Sequence, residues 1–201
     1  EKELILKEVH HRIKNDMAII KSLLSLQRGT TREPLVENAL AEAQNRVEIM
    51  QGIYRLLYQG EDFRSVNLAG VITDLLIQVR QTHQTRTRVD VQHQIDDVEV
   101  PTKIAFPLGI IINELVTNVF KYAFSDRERG SVHVSVSRAD QIITAVVHDD
   151  GEGLPASVAA GDDYGFGLTL VSGLIQQYHG ALDLSGPPGT TATITLPVPT
   201  E

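Results

Sequence analysis

Two adjacent histidines, His10 and His11, are the first side chains along the chain that could do chemistry. Apolar residues recur at steps of three and four from Leu6 to Leu24, which predicts an amphipathic helix over residues 4–26. On a helical wheel His11 points roughly 160° from the centre of the apolar face, and His10 roughly 60° from it. The spacing therefore predicts an exposed His11, open to reaction, and a His10 that flanks the core.

Glu8 and Asn15 share the helix face of His11, because they lie three residues before it and four residues after it. A carboxylate at hydrogen-bond distance can orient an imidazole and accept its proton. A solvated helix face on which a histidine happens to fall is the alternative explanation of the same spacing. A shared metal site is disfavoured, since neighbours on a helix point about 100° apart and cannot easily bind one ion.

A second set of polar residues lies on one face of a helix predicted over residues 104–124. Steps of four and three place a carboxylate, an amide, a cation and an aromatic ring along that face: Glu114, Asn118, Lys121 and Tyr122. Mg²⁺ prefers oxygen ligands and keeps substrate phosphates in its shell, so the first two residues could hold the ion while the lysine faces phosphates. A mixed polar surface without a ligand is the alternative.

Two glycine turns follow. Asp149 ends a predicted strand and precedes Gly151 and Gly153, whereas Gly165 and Gly167 precede a predicted helix. Glycine lets backbone amides approach a ligand closely, and a helix N-terminus favours anionic groups. The chain lacks the lysine of a P-loop fingerprint, so neither turn alone identifies a phosphate site.

These side chains must be positioned by two kinds of structure. Before Gly60, two long helices are joined by a short loop, with Gly29 placed to end the first and Pro34 to begin the second, which predicts an antiparallel hairpin. After Gly60, short β-branched runs alternate with helical ones. The predicted strands are 63–67, 88–95, 131–137, 141–148, 181–185 and 191–196, and the predicted helices are 68–82, 104–124 and 168–179. This order predicts an α+β fold, a hairpin in residues 1–61 followed by an α/β sandwich in residues 62–201.

The second helix carries a coiled-coil-like seam from Val36 to Leu57. A lone hairpin leaves part of its apolar surface in water, and a second copy would cover it. The seam therefore predicts a homodimer built around a four-helix bundle. Packing of the hairpin onto its own downstream domain is the alternative.

Composition limits the classes of partner. The 201 residues are 42% hydrophobic and 22% charged, as in ordinary globular proteins, and the net charge of −8 argues against nucleic acid. The absence of cysteine excludes disulfides and thiolate chemistry and favours the cytoplasm. The longest apolar stretch, near residues 104–112, is about half of the roughly 20 residues that a membrane span needs. Because the chain begins at Glu1, an upstream sensory domain is expected to be missing.

The order of these motifs resembles that of sensor histidine kinases. A helix with Glu and Asn, then Asp-x-Gly-x-Gly, then Gly-x-Gly-Leu is the order found in GHKL-type (Bergerat-type) ATP-binding domains. The preceding His-Arg-Ile-Lys-Asn at residues 11–15 is similar to the phosphoacceptor box of the HWE-related class. The resemblance implies ATP and Mg²⁺ as cofactors, autophosphorylation on a helical histidine, and phosphoryl transfer to an aspartate of a response-regulator receiver domain.

The resemblance also implies roles for individual residues. His11 would be the phosphoacceptor, with Lys121 near the phosphates. Most sensor kinases place an acid directly after the histidine, but Arg12 stands there, so Glu8 becomes the candidate general base. A GHKL-type serine kinase or ATPase, in which the hairpin only docks, and a dimeric scaffold with a degenerate nucleotide site are the alternatives.

The implied nucleotide site spans the helix and both glycine turns. Glu114 and Asn118 would bind the metal ion, and Asp149 would accept a hydrogen bond from the adenine amino group. Asp150 stands where many relatives have asparagine, which adds negative charge near a polyanionic ligand. The implied nucleotide-contacting residues are Glu114, Asn118, Lys121, Tyr122, Asp149, Gly151, Gly153, Gly165, Gly167, Leu168 and Thr191.

Overall fold

The computed structural model describes residues 2–58, 64–82, 87–125, 127–159 and 164–199. The chain divides into two compact units, Glu1–Glu61 and Asp62–Glu201. The start of the strand predicted at Phe63 lies outside the described residues.

The first unit is a helical hairpin of α1 (Lys2–Thr30) and α2 (Pro34–Leu57). Lys21 of α1 pairs with Glu48 of α2 at 2.9 Å, and Arg28, about two helical turns further along α1, donates to Gln44 at 3.4 Å. As residue numbers rise along α1, the numbers of their partners in α2 fall. The helices are therefore antiparallel, as predicted. The expectation that Gly29 ends α1 is wrong, because the helix continues through it to Thr30.

Apolar residues are unevenly covered in this hairpin. The C-terminal end of α2 is buried at Ile53 and Leu57, whereas the seam residues Val47 and Met50 are half-buried. Val9 of α1 is 43% exposed, and the other exposed apolar residues of that helix form a group near the hairpin loop: Ile19, Ile20, Leu23 and Leu26, with 57%, 47%, 56% and 68% exposure. The uncovered apolar surface is therefore mainly on α1.

The second unit combines seven strands with four helices among the described residues. Its elements are β1 (Ser65–Asn67), α3 (Leu68–Thr82), β2 (Arg88–Ile95), β3 (Glu99–Pro101), α4 (Thr102–Asn118), β4 (Arg129–Ala139), β5 (Ile142–Asp149), α5 (Ala156–Ala159), α6 (Phe166–Gln177), β6 (Ala181–Ser185) and β7 (Thr190–Pro197). A π-helical turn, Val119–Ala123, extends α4. The elements α3, β2 and β6 begin and end at the predicted residues, whereas β3, α5 and the π-helical turn were not predicted.

The main sheet has the strand order β2-β4-β5-β7-β6, in which β2 and β4 are parallel and the other neighbours antiparallel. Alternate residues of the inner strands, such as Val134, Val147 and Ile194, are buried beneath α3, α4 and α6. The residues between them, such as Ser135 and Thr193, point to the other face, as the two-residue period of a strand requires. The predicted α+β fold with one helix-covered sheet is confirmed.

Helix α4 with its π-helical extension is the central core element of this unit. By length and composition alone, Thr102–Ala123 could cross a membrane, but 83% of its most apolar window is buried inside the protein. Ile104, Leu108 and Ile111 of α4 are fully covered. The hydrophobicity of the segment is explained by packing against the sheet and the neighbouring helices.

Candidate functional site

The two histidines of α1 differ in exposure. His11 is exposed, whereas His10 is half-buried and turned towards α2, where its Nδ1 makes a hydrogen bond with the hydroxyl of Tyr54. The distinction made on the helical wheel is confirmed. An exposed imidazole on a long helix can react without disturbing the hairpin.

Glu8 does not contact the histidine that it was expected to orient. Its Oε1 accepts a hydrogen bond from Arg12 Nε at 3.0 Å, one helical turn further along. Both side chains are largely exposed, and exposed pairs of this spacing contribute only about 0.3–0.5 kcal/mol. The predicted hydrogen bond between Glu8 and His11 is therefore replaced by a weak ion pair that can readily exchange partners.

On α4, Glu114 and Asn118 lie side by side against the start of α6. Glu114 is 5% exposed. A methyl group built on Gly167 would lie 2.9 Å from Glu114 Oε2 and 3.5 Å from Asn118 Oδ1. The glycine therefore leaves space in front of two oxygen atoms, and the structure brings together the carboxylate and the amide singled out from the sequence.

Lys121 and Tyr122 follow in the π-helical turn. Both are exposed, and Tyr122 is 65% exposed. A π-helical turn changes the angular step between residues, so the ideal-helix spacing used to place all four side chains on one line does not hold beyond Asn118. The two residues lie at the solvent end of the helix, while Glu114 lies in its interior.

Asp149, at the end of β5, is the most buried acidic residue that the structure describes, with 2% exposure. Its Oδ1 accepts hydrogen bonds from the backbone amides of Gly151 at 2.8 Å and Thr190 at 3.2 Å. The protein thus fixes one oxygen from two sides, and no hydrogen bond of the described residues is directed to Oδ2. A carboxylate held in this way presents its second oxygen to a ligand.

The glycines around Asp149 are required by the geometry. A side chain on Gly151 would overlap the backbone of Ala123, and Glu152 N donates to Ala123 O at 3.1 Å. Gly153 has a φ of +85°, a conformation that residues with a side chain rarely adopt. Gly151 therefore lets the turn after β5 lie close to the end of the π-helical turn, whereas Gly153 lies beside Gly189.

Thr191 does not lie where the resemblance placed it. In the register of β5 and β7 it is the partner of His148, and its hydroxyl contacts His148 Nδ1 at 2.9 Å on the uncovered face of the sheet. Asp149 points to the opposite, helix-covered face, because successive side chains of a strand alternate. The structure therefore places Thr191 on the face opposite Asp149, whereas Thr190, which sequence reasoning missed, is the residue that contacts Asp149.

Gly165 and Gly167 stand at the start of α6. Gly165 is the N-cap, and its carbonyl accepts hydrogen bonds from Thr169 N at 3.0 Å and Thr169 Oγ1 at 3.1 Å. Nothing within 4 Å would oppose a side chain at Gly165, in contrast to Gly167. Leu168 is half-buried in the first turn. The backbone amides of this turn lack intrahelical acceptors, which makes it suitable for an anion.

The charge of Asp150 is offset locally. Its Oδ1 accepts a hydrogen bond from Ser131 N at 2.7 Å, and its Oδ2 lies 3.6 Å from Arg127 Nη2. Arg127 also donates to the backbone carbonyl of Asp150. Sequence reasoning missed Arg127, which lies in a connection with no periodic pattern. The negative charge that Asp150 adds is therefore offset by the neighbouring cation Arg127.

The second unit thus combines three features: a buried carboxylate with one open oxygen, two oxygen donors beside a glycine, and a glycine-initiated helix N-terminus. Together they suit a ligand with a hydrogen-bond donor at one end and anionic groups at the other. The first unit contributes an exposed imidazole.

Two protein-family models match the chain, one over the hairpin and α3 and the other from α4 onwards. A family model described as histidine kinase matches residues 8–83, and one described as histidine kinase-, DNA gyrase B- and HSP90-like ATPase matches residues 104–200. The two matches cover most of the chain, and the second contains both glycine turns.

Similar proteins cover nearly the whole chain. The sensor histidine kinase PdtaS of Mycolicibacterium smegmatis is 28% identical over 98% of this chain, and the blue-light-activated histidine kinase 2 of Erythrobacter litoralis is 30% identical over 96%. This chain spans only 40% and 57% of their lengths. The solved Erythrobacter litoralis EL346 blue-light-activated histidine kinase has a TM-score of 0.72 and 26% identity, covering 96% of this chain and 58% of that one.

Proposed function

Because the chain belongs to the histidine kinase family, with the ATPase domain that this family shares with DNA gyrase B and HSP90, we propose that it is the catalytic core of a sensor histidine kinase. It would transfer the γ-phosphoryl group of ATP to His11 and then to an aspartate of a response regulator. The resemblance to the HWE-related class, found from the motifs, is confirmed at the level of the family.

One observation supports this proposal above the others. The histidine that directly precedes Arg-x-Lys-Asn is exposed on α1, while the adjacent His10 is engaged with α2. The histidine kinase model also covers the hairpin itself, from residue 8. That match disfavours a serine kinase or ATPase in which the hairpin would serve only for docking, and a degenerate scaffold would not need an exposed acceptor.

The nucleotide would be held mainly by the second unit. Asp149 Oδ2 would accept a hydrogen bond from the adenine amino group, with Gly151, Gly153 and Thr190 shaping the surrounding pocket. The phosphates would lie towards the first turn of α6, which begins at Gly165 and includes Gly167 and Leu168, and towards the exposed end of α4. The residues proposed for that end are Lys121, for the phosphates, and Tyr122, beside the nucleotide.

Mg²⁺ fits the pair formed by Glu114 and Asn118. Both offer oxygen atoms, which Mg²⁺ prefers, and Gly167 leaves the space before them that a side chain would fill. When bound, the ion would offset negative charge on the phosphates. The chain's contribution is to hold a carboxylate and an amide side by side at the start of α6.

In the transfer itself a neutral ring nitrogen of His11 forms a bond to the γ-phosphorus while the bond to the bridging oxygen of the β-phosphate breaks, releasing ADP. The imidazole must lose its remaining ring proton as the phosphoramidate forms. Glu8 is the proposed acceptor, directly or through one water, once it leaves Arg12. Because that exposed ion pair is weak, breaking it costs little free energy.

The remaining partners follow from the same role. A receiver domain would supply the aspartate in a separate protein, and an upstream sensory domain would regulate the hairpin. A cytoplasmic location is proposed, where ATP and receiver domains are found. The exposed apolar residues of α1 support a homodimer formed through the hairpin.

Incubation with γ-labelled ATP and Mg²⁺ tests the proposed activity. We expect label on the chain that is stable in alkali and lost in acid, as a phosphoramidate is, and mapped to His11. A phosphoester, stable in acid, would instead favour the serine kinase alternative. Unlabelled protein that still hydrolyses ATP would favour an ATPase.

Asp149→Asn is expected to weaken ATP binding about 5- to 150-fold, because an amide cannot serve the two backbone donors and the adenine amino group equally well, at a cost of about 1–3 kcal/mol. Calorimetric titration with and without Mg²⁺ measures the change. Asp150→Asn is the matched control, since that carboxylate contacts Ser131 and Arg127 instead. Equal losses in both variants, or normal binding by Asp149→Asn, would contradict the assignment.

A further inference from the structure

His10 lies in an aromatic cluster with two tyrosines of α2. Its ring centroid is 4.2 Å from that of Tyr58, and the rings of Tyr54 and Tyr58 are 4.4 Å apart. His10 Nδ1 is hydrogen-bonded to the Tyr54 hydroxyl, and His10 Nε2 is shielded from water. Both ring nitrogens of His10 are therefore withdrawn from solvent, although the residue as a whole is only half-buried.

The protonation states in this cluster are set by burial. Burial, with a smaller contribution from Tyr58, raises the pKa of Tyr54 to about 12, so its hydroxyl keeps its proton at neutral pH. Burial and the nearby charge of Lys14 lower the pKa of His10, so its ring is neutral. The hydroxyl then donates to Nδ1, and the ring proton resides on Nε2.

Neither nitrogen of His10 can then act as a nucleophile. The lone pair of Nδ1 is directed at the Tyr54 proton, and Nε2 carries the ring proton and has no lone pair in the ring plane. His11, the next residue, has no such constraint, because it points away from α2 into solvent. Contacts with α2 thus give two chemically identical side chains different reactivity.

We propose that Tyr54 and Tyr58 determine which of the two adjacent histidines accepts the phosphoryl group, by holding His10 in an unreactive state. The proposal rests on the proposed kinase function and adds a specificity determinant to it. These tyrosines are positioning residues, since they act through His10 and do not contact the reacting phosphate. The helical wheel alone places His10 near the edge of the apolar face, where its ring could still react. The contacts with the two tyrosines make its ring nitrogens unavailable for reaction.

Potassium phosphoramidate, a small phosphoryl donor that needs no enzyme, tests this directly on the full chain. The attacking ring nitrogen forms a bond to phosphorus as ammonia leaves, so labelling reports how available each imidazole is. Fragmentation between the two histidines by mass spectrometry separates their rates. In the unmodified protein we expect label on His11 and little on His10.

Tyr54→Phe keeps the ring contacts and removes only the hydroxyl. Loss of one hydrogen bond is expected to raise the rate at His10 about 2- to 10-fold and to leave the rate at His11 unchanged. Tyr58→Leu, which removes the stacked ring, should also raise the rate at His10. Tyr178→Phe, in the second unit, is the control and should change neither rate.

Equal labelling of both histidines in the unmodified chain, or no increase at His10 in Tyr54→Phe, would overturn the proposal. If Tyr58→Leu lowers the helicity of the hairpin, Tyr54→Phe alone decides. The same variants in a His11→Asn background, incubated with ATP and Mg²⁺, test transfer by the kinase itself. Absence of ATP-dependent label in the unmodified chain would count against the proposed function, while the phosphoramidate rates would still judge the role of the tyrosines.

Discussion

His11→Ala is expected to abolish stable phosphorylation by ATP altogether, because no other exposed histidine stands directly before Arg-x-Lys-Asn. ATP binding and helicity should stay close to those of the unmodified protein, since an exposed side chain contributes little to packing and surface changes usually stay within about 0.5 kcal/mol. Labelling with γ-labelled ATP, calorimetric titration of ATP and circular dichroism measure the three properties on the same samples.

His10→Ala is the adjacent control with the opposite expectation. Label should be retained on His11, while the hairpin becomes less stable, because the contacts with Tyr54 and Tyr58 are lost. An inactive His10→Ala together with a fully labelled His11→Ala would show that the acceptor has been assigned to the wrong residue.

The two histidines illustrate what could be predicted from the sequence. A helical wheel uses only the angular step of the backbone, and α1 is a regular helix, so exposure at His11 and partial burial at His10 followed correctly. The wheel could not identify Tyr54 as the partner of His10, since the two lie 44 residues apart and meet only through the register of the hairpin. Contacts between elements depend on packing that a local pattern does not encode.

Helix α4 shows a different limit. Its position was predicted because a long apolar run needs a core, and the polar pair Glu114 and Asn118 was found at regular spacing. The π-helical turn beyond Asn118 changes the rotation per residue about the helix axis. No glycine or proline in that segment indicates the change. The relative directions of Lys121 and Tyr122 therefore needed the structure.

The sequence contains enough information to assign Thr190 and Thr191 to opposite faces of β7, but it was misinterpreted. The apolar residues Ala192, Ile194 and Leu196 alternate along β7, which already assigns Thr190 to their face and Thr191 to the other. The resemblance led to the threonine on the wrong face, and the period of the strand would have corrected it. Glu8 was misplaced for a simpler reason: a carboxylate with an arginine four residues later forms the common i, i+4 ion pair.

The oligomeric state rests on the apolar group of α1, defined as Ile19, Ile20, Leu23 and Leu26. Three of its members, Ile19, Leu23 and Leu26, recur at steps of four and three and therefore share one helix face, and each is more than half exposed. Burying a leucine side chain is worth about 1.5–3 kcal/mol, so covering this face with a second hairpin would be strongly favourable. Val47 and Met50, at the centre of the predicted seam, are less suitable targets, because both are already half-buried in the single hairpin.

Leu23→Glu is therefore expected to convert the proposed dimer to monomers, since it places a charge at the centre of the face that the partner would bury. The hairpin should keep its helicity, because Leu23 is 56% exposed in the single chain, and the second unit should still bind ATP. Light scattering at tens of micromolar measures the mass, and labelling should fall along with it if phosphorylation needs the assembled bundle. Ile77→Glu, an exposed apolar residue of α3 with 46% exposure, is the matched control and should leave the mass unchanged. An unmodified protein that is already monomeric at this concentration would refute the two-hairpin bundle, and the apolar group of α1 would then have to be covered within one chain.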